Sequence, residues 1–453
     1  MKYPAYPEYK DSGVQWLGQV PEHWEVKKLK MATHLRDKKV EPDEEKPVPY
    51  IGMENIESWT GKLLPIDPNV APSGVANRFT TRNTLFGKLR PYLAKACNPD
   101  FDGLCSTELL VLESEDFDRR ALLYWLLADG FIKLVDSSTY GSKMPRANWN
   151  FIGNCLLPLP PLSEQTVIAD FLDQETGRID RLTAKKRQLI ALLGEKRAAL
   201  ISRTITRGLP AEAAREFGLK PHTRFKNSGI EWLGQVPERW RVTPLFRIAE
   251  TIQTGPFGSQ LHSSDYVEGG IPLINPAHIN AGRVVPDEPS SVDDATAIRL
   301  SRHRFRSGDV VMGRRGEIGR SAVIGSTEVG WLCGTGSLLI RLRNSSAAYF
   351  SSIISGAGFS SLLELNAVGT TMLNLNPNIV GRMLVPVPPF PEQTAIAAYL
   401  DRETAKIDQL ITKIEAAIAC LQEYRTALIT AAVTGKIDVR GTIPPAHTRV
   451  QRR

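Results

Sequence analysis

Two stretches of the chain carry apolar residues at helical steps over an unusual length. In the first, Ile168, Leu172, Glu175, Ile179, Leu182, Lys186, Leu189, Leu193, Lys196 and Leu200 step by four and three. In the second, Ile396, Leu400, Glu403, Ile407, Leu410, Ile414, Ala417, Leu421, Tyr424 and Leu428 do the same. That spacing is the heptad of a coiled coil, and forty residues of helix reach about 60 Å. So long a helix cannot bury its stripe on a small domain, and the two stripes are predicted to pack on each other. Glu175, Lys186 and Lys196 weaken the seam and set its register. PLPPL (158–162) and PVPPF (386–390) stiffen the entry to each helix, because proline fixes φ and disfavours helix before it.

Elsewhere the patterns are shorter. VPYIGM (48–53), TLFGKL (84–89) and ELLVLE (108–113) read as strands. Arg119 to Val135 reads as one amphipathic helix, matched by Ala347 to Leu365. These elements recur because the chain is duplicated. YKDSGVQWLGQVPEHWEVKKL (9–29) and FKNSGIEWLGQVPERWRVTPL (225–245) agree at 13 of 21 positions. LPLPPLSEQTVIADFLDQETGRIDRL (157–182) returns as VPVPPFPEQTAIAAYLDRETAKIDQL (385–410). The offset grows from 216 to 228 between the blocks, which places an insertion of about twelve residues between 246 and 330, near GPFGSQLHSSDYVEGG. The predicted fold is α+β: two similar α+β units separated by two long helices that pair as an antiparallel coiled coil, an internal pseudo-two-fold duplication. The expected boundaries are 1–156 and 225–384 for the globular units, 157–208 and 385–440 for the helices, 209–224 for a linker and 441–453 for a basic tail.

Composition narrows the function. The chain has 453 residues, ordinary apolar content and a net charge of +7, which hints at an anionic partner. No apolar run suits a membrane span and MKYPAYPEYKDSG lacks a signal-peptide core, so a cytoplasmic location and no membrane partner are expected. Five scattered cysteines with no CxxC read as reduced, mostly buried thiols.

Catalytic and metal motifs are not found. DNA amino-methyltransferases place Asp, Asn or Ser before Pro-Pro-aromatic to accept from the exocyclic amine of a flipped base. Here Val387 and Leu159 stand at that position, and neither can accept. GRRGEIGR (313–320) does not match the dinucleotide fingerprint and reads as a tight β-turn; phosphate-loop and HExxH motifs are missing. No catalytic residue, metal ligand or cofactor of its own is therefore expected. What remains is polar loops at matching places in both halves. Lys88, Arg90, Tyr92 and Lys95 lie in GKLRPYLAK, and Arg314, Arg315 and Arg320 in its approximate counterpart. Lys143 and Arg146 lie in GSKMPRAN, with Thr370, Thr371, Asn374 and Asn376 in GTTMLNLN. Such groups suit phosphate oxygens and base edges. Trp16, Trp24, Trp232 and Trp240 read as core anchors.

Two globular halves, each opened by the SG-x-x-WLGQVPE-x-W block and closed by PLPPLSEQ or PVPPFPEQ plus a long helix, resemble the specificity subunit of a type I restriction–modification system. The resemblance covers nearly the whole chain. It implies two target-recognition domains, each reading half of a bipartite site in double-stranded DNA. It implies paired helices that act as a ruler and dock two modification (methyltransferase) subunits. S-adenosylmethionine would be used by those subunits to methylate adenine, and ATP and Mg2+ by restriction subunits that translocate and cleave. The family's base-reading residues follow no fixed motif, so the thirteen candidates rest on charge and position. The alternatives are a single-chain methyltransferase or nuclease with built-in recognition, and a coiled-coil adaptor that does not bind DNA.

Overall fold

The computed structural model describes residues 3–42, 48–67, 74–316, 318–367 and 374–442. Thr370 and Thr371 lie outside the described residues. The chain forms two compact units: residues 1–187 with 415–453 make the first, and 188–414 the second. Each combines a globular segment with part of both long helices, Leu162–Arg207 and Phe390–Val433.

The first unit holds two four-stranded sheets. One runs in the order His34–Leu35, Leu109–Glu113, Thr84–Gly87, Ala96–Cys97, all antiparallel. The other runs Lys39–Val40, Ala76–Phe79, Gly103–Cys105, Tyr50–Ile51, and its last pair is parallel, with Cys105 opposite Ile51. The three apolar runs thus form strands as their pattern predicts. The second unit repeats the first sheet as Ala249–Thr254, Ser337–Leu342, Val310–Gly313, Ser321–Val323. It also repeats the parallel pair, with Cys333 opposite Ile274. Its second sheet grows from the other edge. Tyr266–Val267, inside the inserted stretch, pairs with Ser291–Val292, which pairs with Ile271–Ile274.

The words spelled twice form the seam between sheet and helix. Tyr9–Asp11 pairs with Gln19–Pro21, and Phe225–Asn227 with Gln235–Pro237, in the same register. Trp24 and Trp240 are fully buried. Their indole N–H groups donate to Glu164 and Glu392, each at 3.1 Å. Those carboxylates sit in the first turn of the long helices, where the positive end of the helix dipole favours them. The next residue ties the helix to the globular segment. Gln165 accepts from Asp118 N and donates to Pro160 O, while Gln393 accepts from Ser346 N and donates to Pro388 O.

The helices pair antiparallel within each unit. In the first, Ile168–Leu172 share a core with Leu428–Val433, and Asp180 meets Arg425 at 3.4 Å. In the second, Ile201 and Ile205 share a core with Ile396 and Leu400, and Arg197 meets Asp408 at 3.0 Å. The seam does not keep the heptad throughout. Leu182, Leu189 and Leu410 are 44, 46 and 49 % exposed, while Thr183 is buried and Ile190 and Ile411 are half-buried. A straight helix has 3.6 residues per turn, so a 3.5-residue stripe rotates off the seam by about 20° per heptad. Tyr424 is exposed in the same way, and its neighbour Arg425 turns inward, donating to Trp59 O and Thr60 O.

The single helices expected at 119–135 and 347–365 are each two. The first breaks between Arg119–Leu126 and Asp129–Ser137, the second between Ala347–Ile354 and Ala357–Asn366. Extended backbone at Ala128 and Gly356 starts each second helix. The break seats a tryptophan. A Cβ on Gly130 would lie 2.5 Å from the Trp16 ring, and one on Gly358 3.1 Å from Trp232. All four duplicated tryptophans serve the core or its edge.

Candidate nucleic-acid interface

In both units the candidate loops are zipped together by the same backbone hydrogen bonds. Thr84–Gly87 and Ala96–Cys97 form a hairpin whose base is Gly87 N to Lys95 O, 2.8 Å; in the second unit Gly313 N meets Arg320 O at 2.9 Å. Lys88 N donates to Glu108 O and Arg314 N to Gly336 O, both at 3.0 Å. Lys88 O then accepts from Ala147 N, as Arg314 O accepts from Leu375 N. Leu89 bridges to Arg146, and Arg315 to Asn374. GKLRPYLAK therefore lies beside GSKMPRAN, and GRRGEIGR beside the end of GTTMLNLN.

The side chains on this shared frame differ. Arg90, in left-handed backbone at φ 48°, donates to Lys143 O at 3.3 Å. Arg146 donates to both oxygens of Glu108 at 3.1 and 3.2 Å. Tyr92 and Lys143 are exposed and Lys88 is half-buried. Lys95 turns inward onto Met53 O at 2.5 Å. Arg314 is 7 % exposed, with its guanidinium donating to Thr335 O and Leu375 O, so it holds the loop from inside. Burial, and next Arg315, pull its pKa below the usual arginine value. Asn376 caps the short helix Pro377–Arg382 by accepting from Ile379 N. Arg320 lines a separate cleft of about 1320 Å3 with Arg197, Arg283, Asp401 and Asp408. Asn374 and Arg315 stay half-buried at the loop crossing.

A second basic surface in the first unit escaped the pattern. Arg36, Lys38, Arg78 and Arg82 line a groove of about 520 Å3 with Thr80, Thr81, Asn83 and two carboxylates, Asp102 and Glu113. Arg36 pairs with Glu113 at 2.6 Å, and its hydrogen bond holds that carboxyl below the usual range. Lys38, Arg78 and Arg82 are exposed, and the Arg82 charge also helps to hold Glu113 ionised. Arg36 also borders a pocket of about 280 Å3 that reaches Lys39, Lys88, Arg146 and Asn77. The run LRDKKV (35–40) was the available sequence signal; the ladder that sets Lys39 opposite Asn77 joins it to Arg78.

Among the described residues, no three His, Cys, Asp or Glu side chains gather as a metal site, and no helix is long and apolar enough to cross a membrane. Cys97 and Cys105 are buried, and burial pushes both thiols up to about 12.

The type I restriction modification DNA specificity domain model matches residues 21–191 and again 237–419. The specificity subunit of the MjaVIII type I restriction enzyme from Methanocaldococcus jannaschii is 23% identical over 351 residues, 75% of each chain. That of the Escherichia coli EcoDI enzyme is 24% identical over 46% of this chain, and the match spans about half, 48%, of the relative's length. Among solved structures, a chain from work on complex assembly and conformational transition of the type I R-M system superposes with a TM-score of 0.64 at 21% identity. It covers 94% of this chain and 99% of that one. With both halves of the duplication matched, this chain belongs to the type I restriction–modification DNA specificity family.

Proposed function

We propose that this chain is the DNA-reading subunit of a type I restriction–modification complex, each globular unit reading one half of a bipartite site. The observation that carries the reading is the loop crossing built twice on the same backbone hydrogen bonds with different side chains. Two similar readers with dissimilar chemistry suit two unlike half-sites. The basic groove of Arg36, Lys38, Arg78 and Arg82 supplies phosphate contacts that position the first unit, while the loops meet base edges. Chemistry belongs to partners in this reading. Modification subunits bring S-adenosylmethionine and methylate adenine, and restriction subunits bring ATP and Mg2+. The seam supports a docking role, since Leu182 on the first unit and Leu189, Leu192 and Leu410 on the second stay exposed on the paired helices.

The test is methyl transfer with and without partners. The purified chain transfers none; with a modification subunit it directs adenine methylation to one bipartite sequence, with two modification subunits bound per chain by native mass measurement. Methyl transfer by the chain alone, or methylation without sequence preference, overturns the reading.

A further inference from the structure

Beside the first unit's loop crossing lies a pocket with a buried amide that the loop contacts proposed above leave unused. Asn77 forms part of its floor, 6 % exposed, on the strand Ala76–Phe79. Its Nδ2 donates to Leu109 O at 3.1 Å. A carbonyl only accepts, so this bond fixes which way the amide faces and leaves Oδ1 as the free end. That oxygen is buried and has no partner. A buried acceptor without a donor is unusual in a folded protein and invites a ligand that supplies one. The space beside it is about 280 Å3, room for an exocyclic amine and the base edge that carries it. Lys39 and Lys88 stand on its walls, and Tyr140, 61 % exposed, offers an aromatic face at its edge.

We propose that this pocket admits one base edge of the first half-site through its exocyclic amine, and that Asn77 is the acceptor that reads it. The inference rests on the DNA-reading function proposed above. In the major groove only adenine N6 and cytosine N4 donate, so an amide oxygen whose own N–H is spent selects an amine and rejects guanine O6 and thymine O4. Lys39 and Lys88 on its walls and Arg36 at its border suit the flanking phosphates, which brings the edge over the floor. The second unit cannot read the same way. Leu104 pairs with Arg78 as Leu332 pairs with Arg304, which puts His303 in the place of Asn77. His303 Nε2 accepts from Arg302 Nε at 3.0 Å, so the ring proton sits on Nδ1, and the buried atom left without a partner there is a donor that cannot accept from an amine. Amine reading is thus a property of the first half-site alone.

The test uses the full chain assembled with its modification subunits on its own site, with each adenine or cytosine of the first half-site replaced in turn by an analogue lacking the amine. One replacement weakens binding of the natural complex by about tenfold, and its identity tells adenine from cytosine. In Asn77→Leu that same replacement costs nothing further, while Asn77→Asp, which keeps an acceptor, restores the sensitivity. Undiminished reading of the second half-site shows that the variants fold. A natural complex indifferent to every amine, or an Asn77→Leu complex weakened equally on all sequences, overturns the assignment and leaves the DNA-reading function standing. A natural complex without any sequence preference removes that function and this inference together.

Discussion

Lys88 and Arg314 occupy the same backbone position in the two units, held by the same pair of hydrogen bonds, and their side chains behave differently. Lys88 is half-buried on a pocket wall; Arg314 is folded inward onto two carbonyls. The seat at the helix start shows the same divergence. Tyr6 OH donates to Glu164 at 2.6 Å, and at the position 216 residues on, His222 meets Glu392 at 2.5 Å. Duplication preserved the backbone frame, the tryptophan–glutamate anchor and the glutamine tie beside it, while side chains around them diverged. Around the basic groove the contrast extends to charge. Lys38, Arg78 and Arg82 are open in the first unit. Arg302 and Arg304 in the second are spent on His303 and on Ala297 O, and Arg306 lies 3.7 Å from Glu250.

The sharpest way to break the comparison is to cut one anchor. Glu164→Ala leaves Trp24 Nε1 and Tyr6 OH buried without an acceptor, at a cost of about 4 kcal/mol. Thermal unfolding should show the first unit melting early while the second half-site is still recognised; Glu392→Ala should do the reverse. If either change abolishes both half-sites, the anchors are not independent.

Next in size is a pH effect confined to the second unit. Burial, and next Arg302, lower the His303 pKa to about 4, and the bond from Arg302 requires an unprotonated acceptor. The unfolded chain takes up this proton near pH 6.5 and the folded one only near 4. Stability of the second unit is therefore full above 6.5 and falls between 6.5 and 4, by about 3 kcal/mol at most. Unfolding measured across that window should lose this component in His303→Asn, the residue carried at the same place in the first unit.

A smaller contrast lies in the tryptophan seats. Gly130→Ala should destabilise by about 1–2 kcal/mol, because the new methyl meets the Trp16 ring at 2.5 Å. Gly358→Ala should be close to neutral, since the milder 3.1 Å approach is offset by a helix-propensity gain of about 1 kcal/mol. Denaturant titration of both variants separates them. The smallest effect is electrostatic. Replacing Lys38, Arg78 or Arg82 by alanine should each reduce the salt slope of DNA binding by about 1 without changing the sequence read. Arg304→Ala, tied to a carbonyl, should leave the slope unchanged, as filter binding over a salt series would show.

The duplication, the strands and the paired helices were legible because they depend on local periodicity. The helix breaks were not, since the apolar spacing through ALLYWLLADGFIKLV continues across Ala128 without a proline to mark it. The seam slipped because a 3.5-residue count and a 3.6-residue helix part company within two heptads, which moves burial from Leu182 to Thr183. The loops were found because they match between the halves. The groove was hidden because Arg36 and Arg78 are distant in sequence and meet only through the ladder of Lys39 with Asn77. The inward turn of Arg314 and Lys95 could not be read from charge, which carries no information about direction.

In the first unit Asp438 N donates to Pro4 O at 2.8 Å, and the Arg440 guanidinium lies 4.8 Å from the Tyr6 ring centre. The two ends of the described chain thus meet at the helix-start seat, where the second unit has unbroken polypeptide from Gly208 to His222. Joined there, residues 4–440 would close into a ring. A gene re-cut within residues 217–221, with the old ends joined by a short polar bridge, should yield the same two readers in the opposite chain order.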